Sequence, residues 1–136
     1  MAKVTGAGRH AKRLKAMQGR KLVSQLGKEV FVAADGVRAE ASRLISQGSV
    51  QGAKRVPSRP GEPPNWDTGQ LAAGLAAHKT GPLSAVAEST APYAAHLEFG
   101  TSKMAARPYM KPAAQTVGKD LAKRIGGALN FTIRKG

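Results

Sequence analysis

One apolar stripe limits the folds open to this chain more than any other feature. Between Arg9 and Gln47, the positions Leu14, Met17, Val23, Leu26, Val30, Ala33, Val37, Ala41, Leu44 and Ile45 recur at steps of three and four. That spacing is the period of one helical face, and it does not keep the strict heptad of a coiled coil. The stretch predicts one long, core-packing helix, with Gly48 as its C-terminal stop. Gly19, Gly27 and Gly36 interrupt it, and each costs about 1 kcal/mol relative to Ala, so bends or breaks are expected there. Lys12, Lys15, Arg20 and Lys28 fall largely off the stripe and form its wet face.

The rest of the chain is punctuated by proline and glycine. Residues 1–8 read as a flexible arm. Ser49–Trp66 carries Pro57, Pro60, Pro63 and Pro64 with Gly52 and Gly61, a composition that forbids regular structure. Loops of that length are usually functional. Trp66, the only tryptophan, either pins the loop to the core or anchors an interface. Asp67 or Thr68 caps a short helix whose apolar positions are Leu71 and Leu75. Thr80-Gly81-Pro82 then turns a hairpin pairing 74–79 with 83–89. Pro92 opens a helix of about two turns with Tyr93, Leu97 and Phe99 along one side, stopped by Gly100. A loop over 100–107 follows. Pro112 starts a second long helix, with Ala113, Val117, Leu121, Ala122, Ile125 and Leu129 on one face. Gly126-Gly127 should fray its end, and Asn130–Arg134 reads as an edge strand. The expected fold is α+β: one domain over 1–136, a small antiparallel sheet packed against a long N-terminal helix and a C-terminal helix.

The core must be thin. Aromatics make up 4% of the 136 residues, so burial falls to Leu, Val, Ile, Ala and Met, and Tyr93 and Phe99 are expected to be buried. A core of that kind is marginal alone and gains from association. Cysteine is absent, which removes disulfides and thiolate metal sites and fits a reducing compartment. No apolar run approaches the ~20 residues of a membrane span, and no signal peptide is visible, so a soluble protein made in a cytoplasm is expected.

The net charge of +14 is unevenly spread. Met1–Lys28 holds eight basic residues and no acid, 56–118 is nearly balanced at five against four, and 119–136 is basic again. Such a block is either a solvated face or a contact for a polyanion, nucleic acid or an acidic protein surface. Arg9, Lys12, Arg13, Lys15, Arg20 and Lys21 are the candidate contacts.

Catalytic chemistry is not indicated. His10, His78 and His96 lack metal-ligand spacing, eight acids single out no pair, and no nucleophile elbow or phosphate-binding loop is present. We expect no enzyme activity, cofactor or metal. Helix-turn-helix geometry is not indicated and aromatics are too few for base stacking, so any DNA contact should be electrostatic and sequence-independent.

The segment Tyr93-Ala94-Ala95-His96-Leu97-Glu98-Phe99-Gly100-Thr101, followed by Ala106-Arg107-Pro108-Tyr109-Met110-Lys111-Pro112-Ala113, resembles a signature of tailed-phage head–tail joining proteins, also labelled neck, tail-completion or minor tail components. Pro60-Gly61-Glu62-Pro63-Pro64 with Asp67-Thr68-Gly69-Gln70-Leu71 resembles the family's upstream motif. Together they span about the second half of the chain. The resemblance implies a structural virion protein forming a homo-oligomeric ring in the neck, assembled in the host cytoplasm. Its neighbours would be the portal or head-closure protein and the tail terminator or tube, with possible contact to genome DNA. The two loops would be assembly surfaces, and the candidate interface is Trp66, Tyr93, His96, Glu98, Phe99, Arg107 and Tyr109. His96 is either a packing or capping residue or an intersubunit hydrogen-bond partner. Glu98 pairs with Lys103, Arg107 or a neighbouring subunit, or is simply solvated. The alternative function is a non-specific, basic nucleic-acid-binding protein.

Overall fold

In the computed structural model, residues 5–17, 19–47, 58–65 and 69–135 are described. The elements run α1 (Ala7–Met17), α2 (Arg20–Ser46), α3 (Gln70–Ala73), β1 (Leu75–Gly81), β2 (Ser84–Ser89), α4 (Ala94–Phe99) and α5 (Met110–Lys135). This is the expected α+β arrangement, with a two-stranded antiparallel sheet on two long helices. Gly48, Trp66, Asp67, Thr68 and most of the Pro-rich loop lie outside the described residues.

The long stripe is divided once. Gly19 is extended at the start of α2, so the basic N-terminal piece forms its own helix. Gly27 and Gly36 do not break α2. Both are points of close approach instead. The Pro82 carbonyl of the hairpin turn sits where a Gly27 side chain would be, and Val117 of α5 comes within van der Waals contact of the Gly36 position. Tertiary packing at these sites outweighs the local cost of glycine.

Helices α2 and α5 lie antiparallel. Ile45 shares a cluster with Tyr109 and Ala113, Gly36 faces Val117, and Glu29 reaches Arg124 at 3.8 Å. Numbers rise along one helix as they fall along the other. The main core closes where α2 ends and α5 begins, from Ala41, Ile45, Leu71, Leu75, Ala94, Tyr109 and Ala113. Tyr109 and Ile45 are its largest fully enclosed side chains.

The hairpin lies along α2. Its pairs Leu75–Ser89, Ala77–Ala87 and Lys79–Ala85 share one face, with Ala85 and Ala87 turned towards both long helices. Ala76–Glu88 and His78–Val86 share the other face. Small residues on the inner face let the strands sit close to the helix.

Three expectations are overturned. Phe99 is not core: it is 81% exposed, and Tyr93 is 37% exposed. The short helix begins at Ala94 rather than at Pro92, which turns its outer positions to solvent. Residues 130–134 form no edge strand; α5 runs helical through Gly126-Gly127 to Lys135. There the helix has α1 against it and Ala128 buried, support that local strand preference cannot match.

Glycine substitutions should separate the two kinds of site. Gly118→Ala and Gly127→Ala, with open space at the added methyl, should stabilise by about 0.5–1 kcal/mol. Gly27→Ala should destabilise despite the same gain in propensity, because the hairpin turn must move. Urea unfolding of the three variants checks this.

Candidate functional site

The start of α5 has no cap of its own. Arg107-Pro108-Tyr109 precedes it, no acid lies in its first turn, and Lys111 puts a cation where the helix dipole is positive. Glu98 fills that gap from the short helix α4. Its Oε2 accepts from the backbone N–H of Tyr109 at 2.9 Å and of Met110 at 3.0 Å, and its Oε1 accepts from Lys111 N–H at 2.9 Å. One carboxylate thus satisfies three of the donors that an α-helix leaves unpaired. The structure gives Glu98 these backbone partners in place of Lys103 or Arg107. An uncapped helix preceded by a single nearby acid is the sequence signal that would have identified this role.

The cap closes the whole loop between α4 and α5. Arg107 N–H donates to Leu97 C=O at 2.6 Å, and Thr101 and Met104 bridge across the turn. Gly100 holds a positive φ of 76°, and a side chain there would lie 2.8 Å from the Ala106 nitrogen. The described part of the Pro-rich loop is attached here as well, since Gly61 N–H donates to Ala106 C=O at 3.0 Å. The two loops that the sequence suggested as separate surfaces are therefore joined.

With Ala94, Leu97 and Glu98 turned inward, α4 presents Tyr93, His96 and Phe99 outward at helical spacing. His96 contributes its carbonyl to the Gly100 cap, while its ring is on the exposed side. Tyr109 is the opposite case. Fully enclosed, its phenol is pushed above the ordinary tyrosine value by burial, with Ser89 pulling the other way and the Glu98 charge adding to the rise. Of the seven candidate interface residues, Tyr93, His96 and Phe99 share one exposed surface. Glu98, Arg107 and Tyr109 build the support beneath it, and Trp66 lies outside the described residues.

A second apolar feature is a groove of about 470 Å³ between α2, β2 and α5, with Val30, Val37, Ala85, Ala87, Val117 and Leu121 among its walls. Nothing in the sequence marks it, because alanine and valine at these positions read simply as core. The basic candidates Arg9, Lys12, Arg13, Lys15, Arg20 and Lys21 are all exposed on α1 and the start of α2.

Among the described residues, no group of three His, Cys, Asp or Glu side chains is arranged to hold a metal ion. No helix among them is long and apolar enough to cross a membrane. Neither a family model, nor a characterised protein, nor a solved structure matches the chain.

Removing the cap should be measurable. Glu98→Ala is expected to cost about 1–2 kcal/mol in urea unfolding, with Glu98→Gln costing less because one acceptor oxygen remains. A Glu98→Ala variant as stable as the parent would deny the cap an energetic role. The raised Tyr109 phenol has its own signature. An acid group harder to ionise when folded gives stability that is intact below its unfolded value, about 10, and lost as pH climbs towards the folded value. Tyr109→Phe should therefore show a smaller drop in melting temperature above pH 10 than the parent.

Proposed function

We propose that this chain is a structural component of the neck of a long-tailed phage, assembling as a homo-oligomeric ring that joins head to tail. The observation that carries the reading is the outward face of α4. Four of the five described aromatics among Phe, Tyr and Trp are exposed, and Tyr93 and Phe99 share one short helix with His96. Exposed aromatics grouped in this way are what protein interfaces use as anchors. They lie within the residues that resemble the head–tail joining signature, on a base held rigid by the Glu98 cap. A thin, alanine-rich core fits a protein that gains stability from its neighbours. Head-to-tail contacts that close on themselves are the natural route from one small chain to a ring.

A second reading, a free and sequence-independent nucleic-acid-binding protein, draws on the charge of +14. It predicts a monomer whose activity is indifferent to the α4 face.

Tyr93→Ser/Phe99→Ser is the discriminating variant. Both side chains are exposed, so the fold should hold, with unfolding changed by about 0.5 kcal/mol or less per site. Light scattering and negative-stain microscopy should show a ring for the parent and monomers for the variant. In a phage with an early stop codon in this gene, filled heads should lie beside separate tails. Joined, infectious particles would overturn the neck reading.

A further inference from the structure

The antiparallel pairing of α2 and α5 brings together two charge blocks that are far apart in sequence. Residues 1–28 carry eight basic residues and no acid, and 119–136 carry five basic and one acid. The 90 residues between them carry nine basic and seven acidic. Twelve of the fourteen net charges thus belong to these two segments, whose described parts, 5–17, 19–28 and 119–135, converge on one end of the bundle. That end consists of the first half of α2, the second half of α5 and α1 packed on α5.

The acids of the opposite half have partners of their own. Asp35 pairs with Arg38 at 2.7 Å, Glu40 binds Arg43 at 2.9 Å, and Glu98 is taken up by the α5 cap. At the basic end Glu29 pairs with Arg124, which offsets the acid on that stretch of α2. Arg9, Lys12, Arg13, Lys15, Arg20, Lys21, Lys28, Lys123 and Arg134 are all exposed. A cleft of about 570 Å³ opens among them on α2, lined by Arg20, Lys21, Ser24, Gln25, Lys28 and Glu29.

We infer that this end of the bundle is a binding surface for the phosphate backbone of double-stranded DNA. Half a long helix is about 20 Å, and over that distance a duplex presents on the order of ten phosphate charges. Beside the Glu29 carboxylate, which Arg124 engages, the cleft offers ammonium, guanidinium, hydroxyl and amide groups, the set that contacts nucleic-acid backbones. An acidic protein partner would be expected to meet an apolar centre ringed by charge, whereas the exposed large apolar side chains here, Leu14, Phe31, Val32 and Phe131, are spread over three helices. Without stacking aromatics in the cleft, a duplex is favoured over a single strand. The choice of DNA over RNA rests on the neck reading; the electrostatic surface does not.

The test is fluorescence anisotropy of the full chain with a labelled 30-base-pair DNA duplex across a salt series. Affinity should fall about a thousandfold or more between 50 and 200 mM salt. Arg20→Glu/Lys21→Glu and Lys123→Glu/Arg134→Glu should each weaken binding by about tenfold or more and flatten the salt slope by about 2. Arg59→Glu/Lys103→Glu, which makes the same change in net charge away from the basic end, should change affinity less than about threefold. Equal losses in all three variants would mean that net charge alone matters and would overturn the surface, as would an α5 pair without effect. Loss of binding in Leu14→Ala/Phe131→Ala with the charges intact would overturn phosphate recognition. Tighter binding to duplex RNA would overturn DNA as the partner. The neck reading is judged separately by particle assembly, so DNA binding by a chain whose loss leaves joined particles would sink that reading and keep this one.

Discussion

The antiparallel contact between α2 and α5 is the constraint on which the other features depend. Register along this pair puts Ile45 beside Tyr109 and Ala113, which closes the core at one end. The same register carries the basic ends of both helices to the other. Between those ends the helices meet through small side chains, with Val117 against Gly36, and the hairpin rests on α2 at Gly27. Helices this thin approach closely but bury little area per residue, so stability must come from fit rather than from bulk.

Polar contacts then supply the precision that the apolar core lacks. The Glu98 carboxylate, the Arg107–Leu97 bond and the Gly61–Ala106 bond fix three stretches of irregular chain around the start of α5. A charged acceptor at a helix N-terminus gains from both hydrogen bonding and the dipole. Tyr109 is held beneath this cap as the sole fully enclosed aromatic among the described residues. The surface above it can therefore display Tyr93, His96 and Phe99 without itself being part of the core.

How much of this could be read from the chain follows from which signals are local. Helical period marked α2 and the body of α5, and Thr80-Gly81-Pro82 marked the hairpin, because these depend on near neighbours. The exposure of Phe99 and burial of Tyr109 did not follow, since the rotation of α4 decides the one and the docking of the start of α5 onto the end of α2 decides the other. Glu98 was noticed as an acid in basic surroundings, but its partners are backbone groups 11 to 13 residues away. The strand expected at 130–134 failed for the same reason in reverse: its residues favour a strand, while α5, packed against α1 and with Ala128 buried, continues through them as a helix. The convergence of the two basic blocks needed the helix register, which no single stretch encodes.

The position of the main core has a consequence for how the molecule is built in time. Ile45 and Tyr109 meet across some sixty residues of intervening chain, so their contact carries a loop-closure entropy of several RT before any apolar burial rewards it. The hairpin and α2 need no such closure and can form on microsecond scales. Docking of α5 onto α2, like docking of the hairpin turn at Gly27, is a step of high contact order, and the cap, the joined loops and the charged end come into being only with it.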